Sequence, residues 1–145
     1  MAEEKIPGIM REFVKTMAKG DVEKALSFLT DDAVWVNPDG TFKGKEELRR
    51  YLTVMCQNMQ DMTVTECGNG IIMQGNKAFF EHVIGGTIKG KKCEGLAFCA
   101  YEFSGDKIKE VRTAHDRLLM AKQVATGPGK WLVNMIVKQA EKGLH

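Results

Sequence analysis

Several absences narrow the possibilities before any motif is read. Neither sign of charge dominates: 21 Lys and Arg stand against 19 Asp and Glu, a net charge of +2 over 145 residues. Such a balance leaves no electrostatic footprint for nucleic acid or an anionic membrane, so neither is expected as a partner. The cluster Lys89, Lys91 and Lys92 reads as a solvated hairpin turn. No run of 18 apolar residues is present, so no transmembrane helix is expected. The opening MAEEKIPGIM lacks the basic and apolar regions of a secretion signal, and a cytoplasmic location is expected. Cys56, Cys67, Cys93 and Cys99 form no C-x-x-C pair, and no nearby histidine completes a zinc spacing. No metal site is therefore expected, and the thiols read as reduced and mostly buried. No glycine-rich phosphate loop appears, and no cofactor is expected. Without a repeat, a low-complexity segment or a linker, the chain reads as one domain over 1–145.

What is present is a change of period. Ile6, Ile9, Met10, Phe13, Val14 and Met17 recur at helical spacing, and Gly20-Asp21 ends one helix and caps the next. The second helix carries Val22, Ala25, Leu26 and Leu29. AVWVN (33–37) reads as a short strand and Pro38-Asp39-Gly40 as a turn. A third helix after Gly44 buries Leu48, Tyr51, Leu52, Met55 and Met59. Glycine-marked breaks near Gly75, Gly90 and Gly105 divide 62–119 into four strands, most simply an antiparallel meander. The strand AFFEHVIGGTI (78–88) is apolar on both faces. The helices cover one face; a second copy of the chain is the economical cover for the other, so a homodimer through the outer sheet face is expected. Gly127-Pro128-Gly129 reads as a hinge before a C-terminal helix over 130–143. The fold class is α+β: N-terminal helices packed on a curved antiparallel sheet that forms a cone with an internal pocket, plus a C-terminal helix.

Two stretches carry a family likeness. KGDVEKALSFLTDDAVWVNPDGTFKGKEELRRYL (19–52) resembles the opening of the nuclear transport factor 2-like cone fold, and GDKIKEVRTAHD (105–116) resembles its last strand. Within that superfamily the chain resembles the SnoaL-like polyketide cyclase and limonene-epoxide hydrolase-like branches. The resemblance implies that the aspartate ending the last strand, Asp116 here, points into the cone as an acid or base. The epoxide hydrolases also carry an Arg-x-Asp pair on an earlier strand. Laid on this chain it falls on His82 and Ile84, so that triad is incomplete.

Strand alternation then selects the lining. If Asp116 faces inward, so do Ala114, Arg112, Glu110 and Ile108, while His115 faces out. On the preceding strand, Glu94, Leu96, Phe98 and Ala100 form the larger, more apolar set and are expected inside. Phe80, His82, Ile84 and Ile88 line the strand before that, with Trp35 and Tyr51 adding aromatic wall. A carboxylate and an imidazole in one apolar cavity suit proton transfer on a small apolar substrate. The expected function is accordingly a cyclase, isomerase or hydrolase using Asp116 with His82. A non-catalytic carrier of a hydrophobic ligand and a protein-interaction module are the alternatives.

Overall fold

The computed structural model describes the backbone of residues 2–144 and the side chains of residues 5–144. The chain opens with α1 (Ala2–Ala18) and α2 (Val22–Ser27). The predicted stripe of α1 is buried: Ile6, Met10, Phe13, Val14 and Met17 all enter the core. Asp21 caps α2 by accepting from the Lys24 N–H at 3.1 Å. Strand β1 (Leu29–Asn37) turns at Pro38-Asp39 into β2 (Gly40–Lys43), a short strand that sequence reading did not pick out. In α3 (Gly44–Asn58), Glu46 and Glu47 occupy the first turn, where the helix dipole favours them. The Glu47 carboxylate also accepts from the Lys43 N–H at 2.7 Å. Leu48 and Leu52 are wholly buried beneath α3.

Four long strands follow: β3 (Gln60–Gln74), β4 (Lys77–Ile88), β5 (Lys91–Ser104) and β6 (Lys107–His115). Gly75, Gly90 and Gly105 sit in their connecting turns with φ of 59°, 77° and 62°, the left-handed region that glycine enters without penalty. All six strands form one sheet in the order β2-β1-β6-β5-β4-β3. The expected antiparallel meander holds for β3 to β6. The full sheet is mixed, however, because β1 lies parallel to β6, with Trp35 opposite Val111 and Leu29 opposite Ile108. The two strands are joined through α3 and four strands, so their direction is a product of the whole topology.

The inner face of the sheet meets α1, α2 and α3. Phe80, Cys99, Tyr101, Phe103, Ile108, Val111 and Trp35 pack there against Met10, Phe13, Leu48 and Leu52. Phe13 is the hub: its ring lies 6.0 Å from those of Phe28 and Trp35 and 6.5 Å from Tyr101. After β6 the chain forms α4 (Arg117–Val124) and α5 (Gly127–Ala140). Both elements correct the sequence reading. A helix occupies 117–124, which read as strand end and loop, and Gly127-Pro128-Gly129 lies inside the first turn of α5 instead of before it. Proline is accommodated there because the first helical N–H groups have no partner to lose.

Candidate active site

Asp116 does not enter the cone. Its side chain is exposed and caps α4, with Oδ1 accepting the Leu119 N–H at 2.8 Å. The cause lies seven residues upstream. Phe103 pairs with Ile108, but Glu102 pairs with Glu110, which leaves Lys109 as an extra residue on β6. A bulge of one residue inverts the alternation beyond it. Ile108 faces in as expected, but past the bulge Val111, Thr113 and His115 face in, and Arg112 and Ala114 face out. The expected pairing of Asp116 with His82 in one cavity is therefore corrected. Replacing Asp116 with alanine should cost about 1 kcal/mol of stability through loss of the cap. Asparagine there should retain most of it; urea denaturation of the two variants checks this.

The same inversion applies to β5. Cys93, Gly95, Ala97, Cys99 and Tyr101 face in, and Glu94, Leu96, Phe98 and Ala100 face out. The criterion that failed was size. The helices supply bulky side chains to the inner layer, so the first half of β5 carries the small Cys93, Gly95, Ala97 and Cys99 beneath them, and bulk returns only at Tyr101 and Phe103. Its large residues, Leu96 and Phe98, lie on the outer face, where Phe98 stacks on Phe79 at 5.6 Å. Glu110 and Arg112 do form an ion pair, at 2.6 Å, but on that outer face. Trp35, Phe80, His82 and Ile84 lie on the inner face, and Tyr51 packs from α3 against Trp35 at 5.7 Å.

The register then brings together two residues that were expected on opposite faces. His82 pairs with Ala97, and Ala97 pairs with His115. Two imidazoles thus flank one alanine across the inner face, with Cα atoms separated by two strand spacings, roughly 10 Å. Gly95 continues the low ground beside Ala97, and Met120 of α4 packs over it: a Cβ added at Gly95 would lie 3.5 Å from the Met120 side chain. Helix α4 is tied down there by Gln123, which accepts from the Glu94 N–H at 2.9 Å and donates to the Glu94 carbonyl at 2.7 Å.

His82 is 4 % exposed and stacks on Phe80 at 4.4 Å. Its Nδ1 lies 3.3 Å from the Phe80 carbonyl oxygen. A carbonyl only accepts, so Nδ1 carries the proton and Nε2 holds a free lone pair. Burial pushes the imidazole pKa below its usual 6.5, with the carbonyl contact opposing. His115 is also pushed down by burial, against the opposing pull of Asp39. Asp39 is itself held by Arg117 at 3.3 Å, which ties the β1–β2 turn to the start of α4. Because the folded state binds these protons less readily than the unfolded one, the stability each neutral ring contributes is complete above the unfolded pKa. It is lost as pH falls below about 6.5, at no more than ~1.4 kcal/mol per pH unit per histidine. Urea unfolding at pH 7.5 and 5.5 should show this loss, and alanine at either position should reduce it.

Beside this row runs a hydrogen-bonded chain. The Trp35 indole N–H donates to Thr113 Oγ1 at 2.9 Å, and Cys99 Sγ meets the same oxygen at 3.3 Å. Burial pushes the Cys99 thiol up to about 11, which makes it a packing residue and not a nucleophile. Burial also raises the Tyr51 phenol, so it is a neutral donor. Asn37, on the same face of β1 as Trp35, is 9 % exposed. Its Oδ1 accepts from the Asp39 N–H at 2.7 Å, while its Nδ2 is buried and has no protein partner. An orphaned buried donor costs free energy, and is explained when a ligand or water supplies the acceptor. Neither Asn37 nor His115 was singled out as inward from the sequence. Asn37 follows Trp35 by two residues, so strand alternation along β1 could have found it, and the His115 signal was hidden by the bulge. Among the described residues no cluster of three or more His, Cys, Asp or Glu side chains is arranged to hold a metal ion.

A family model described as a SnoaL-like domain matches residues 10–111. Among solved structures, the chain is 17 % identical to a hypothetical protein with a ketosteroid isomerase-like fold from Catenulispora acidiphila, in complex with trimethylamine. That match covers 85 % of this chain and 95 % of the other at a TM-score of 0.75. An LEH-like epoxide hydrolase from M. tuberculosis is 18 % identical, covering 94 % and 98 % of the two chains at a TM-score of 0.73. A nuclear transport factor 2-like protein from Anabaena variabilis is 21 % identical, covering 82 % and 92 % at a TM-score of 0.73. At these identities the likeness establishes the fold. No curated protein sequence matches the chain.

Proposed function

Since the chain belongs to the SnoaL-like domain family, we propose that it is a small-molecule enzyme of the isomerase, cyclase or hydrolase kind, working without a metal on the inner face of its cone. The carrying observation is the histidine pair across Ala97, both rings desolvated and one with a defined free lone pair. His82 Nε2 is the base that takes a proton from a carbon acid or a water. The His82 imidazolium formed in that step returns the proton to the product, and His115, kept neutral by burial, is placed to orient the substrate. The Asn37 Nδ2 donor, with no protein acceptor of its own, suits a carbonyl or epoxide oxygen on the substrate. The apolar surroundings, Trp35, Tyr51, Phe80 and Ile84, suit a mostly hydrocarbon body. We further place the whole chain in one domain, in a reducing cytoplasmic compartment consistent with its four free thiols, and as a homodimer through the outer sheet face.

The inner faces of β4, β5 and β6 present no carboxylate, which is the specific observation favouring a second reading, a carrier that binds such a molecule without changing it. Proton exchange separates the two. In D2O the protein should accelerate exchange of the α-protons of 2-tetralone, followed by proton NMR, and bound 2-tetralone should shift the ring nitrogens of His82 in nitrogen-15 spectra. Binding with exchange no faster than in buffer establishes the carrier instead. Neither binding nor exchange, with 2-tetralone or with cyclohexene oxide, removes both small-molecule readings.

A further inference from the structure

The last helix presents an apolar stripe to the outside. Val137 is the side chain of α5 that is buried, and Trp131, Leu132, Met135 and Ile136 stand 68 %, 47 %, 47 % and 45 % exposed. These positions recur at i, i+1, i+4 and i+5, so they form one continuous strip of the helix. A helix that turns its large apolar residues outward is incomplete without something over them.

The same chain carries a matching depression. On the outer sheet face a recess of about 310 Å³ is lined by Ile72, Phe79, Ala100, Glu102, Glu110 and Arg112. Its floor is apolar and its rim is charged. Its size suits one large aromatic side chain better than a drug-sized ligand. On the rim Glu110 is paired with Arg112 at 2.6 Å and Glu102 with Lys109 at 3.8 Å, and a carboxylate oxygen left over in either pair can accept an indole N–H.

Resting on the homodimer reading above, we infer that the outer-face recess is the seat for Trp131 of a second copy of this chain, with α5 of each copy laid on its partner's sheet. Area favours this occupant. Stable interfaces bury about 800 Å² per partner. A stripe of four side chains falls short of that, and so does the outer-face patch of Ile72, Phe79 and Leu96. A two-fold arrangement, in which each copy gives its stripe and receives its partner's, joins both patches into one surface and leaves neither exposed. A lipid surface is the competing occupant of α5, but it would leave the recess and the outer sheet patch uncovered.

The test is self-association of the full chain by analytical ultracentrifugation, with Trp131→Ala and Phe79→Glu as separate variants. A dimer is expected for the unmodified protein, weakened at least ~30-fold by Trp131→Ala, as for an interface hot spot, and also by Phe79→Glu. Trp131 emission should shift to shorter wavelength on association, since Trp35 is already buried in the monomer. Circular dichroism confirms that both variants are folded. A dimer weakened by Phe79→Glu alone overturns the Trp131 seat while leaving the homodimer standing. A dimer weakened by Trp131→Ala alone overturns the recess as its seat. A monomeric protein that sediments with phosphatidylglycerol vesicles through Trp131 overturns the proposal in favour of a membrane surface, and a monomer that does neither overturns it together with the homodimer.

Discussion

Replacing His82 with alanine is expected to slow α-proton exchange of 2-tetralone by roughly 10²–10⁴-fold, the range a positioned general base contributes. The geometry sets out why. With Nδ1–H committed to the Phe80 carbonyl, the basic nitrogen is Nε2, and its direction is fixed by the stack on Phe80. A base is active in its neutral form, and burial lowers the pKa below 6.5. The rate should therefore rise with pH through a midpoint below 6.5 and level off above it. His82→Gln fills similar space without a basic nitrogen, and it should lose exchange as alanine does while keeping the native unfolding midpoint. If His82→Gln retains exchange, the base lies elsewhere and His82 is a buried packing residue. His115→Gln should reduce exchange less, because that neutral ring orients the substrate and does not take the proton.

Phe13→Ala is expected to be the most destabilising single core substitution, costing about 3–5 kcal/mol. Phe13 is fully buried, and it joins α1 to α2 through Phe28, to β1 through Trp35 and to β5 through Tyr101. Truncation removes the transfer free energy of the ring and leaves a cavity that four elements would have to move to close. Since domains of this size are stable by about 5–15 kcal/mol, the variant should show a markedly lower urea midpoint. Phe13→Leu keeps most of the volume and should cost less than half as much. Equal midpoints for Phe13→Ala and the unmodified chain would mean that the aromatic cluster does not hold the layers together.

The order of elements was readable because it rests on local physics. Helical spacing located the buried stripe of α1, and three glycines placed the strand turns to within a residue or two. Size and polarity were weaker guides to which strand face is covered. On β5 the covered face carries small residues from Cys93 to Cys99, with Tyr101 and Phe103 large beyond them.

The sequence by itself determined the helices-then-sheet layout, the turns, the apolar character of both sheet faces and the place of His82 on the inner one. Each of these follows from short-range periodicity and the backbone freedom of glycine. Tertiary structure alone decided that β1 runs parallel to β6, that Lys109 is the extra residue of a bulge, and that His115 consequently turns in while Asp116 turns out to cap α4. A bulge is set by how two strands pair across the sheet, and no residue pattern within β6 announces it. A one-residue offset of that kind exchanges every side chain beyond it between the two faces, and here it replaced an expected carboxylate with an imidazole.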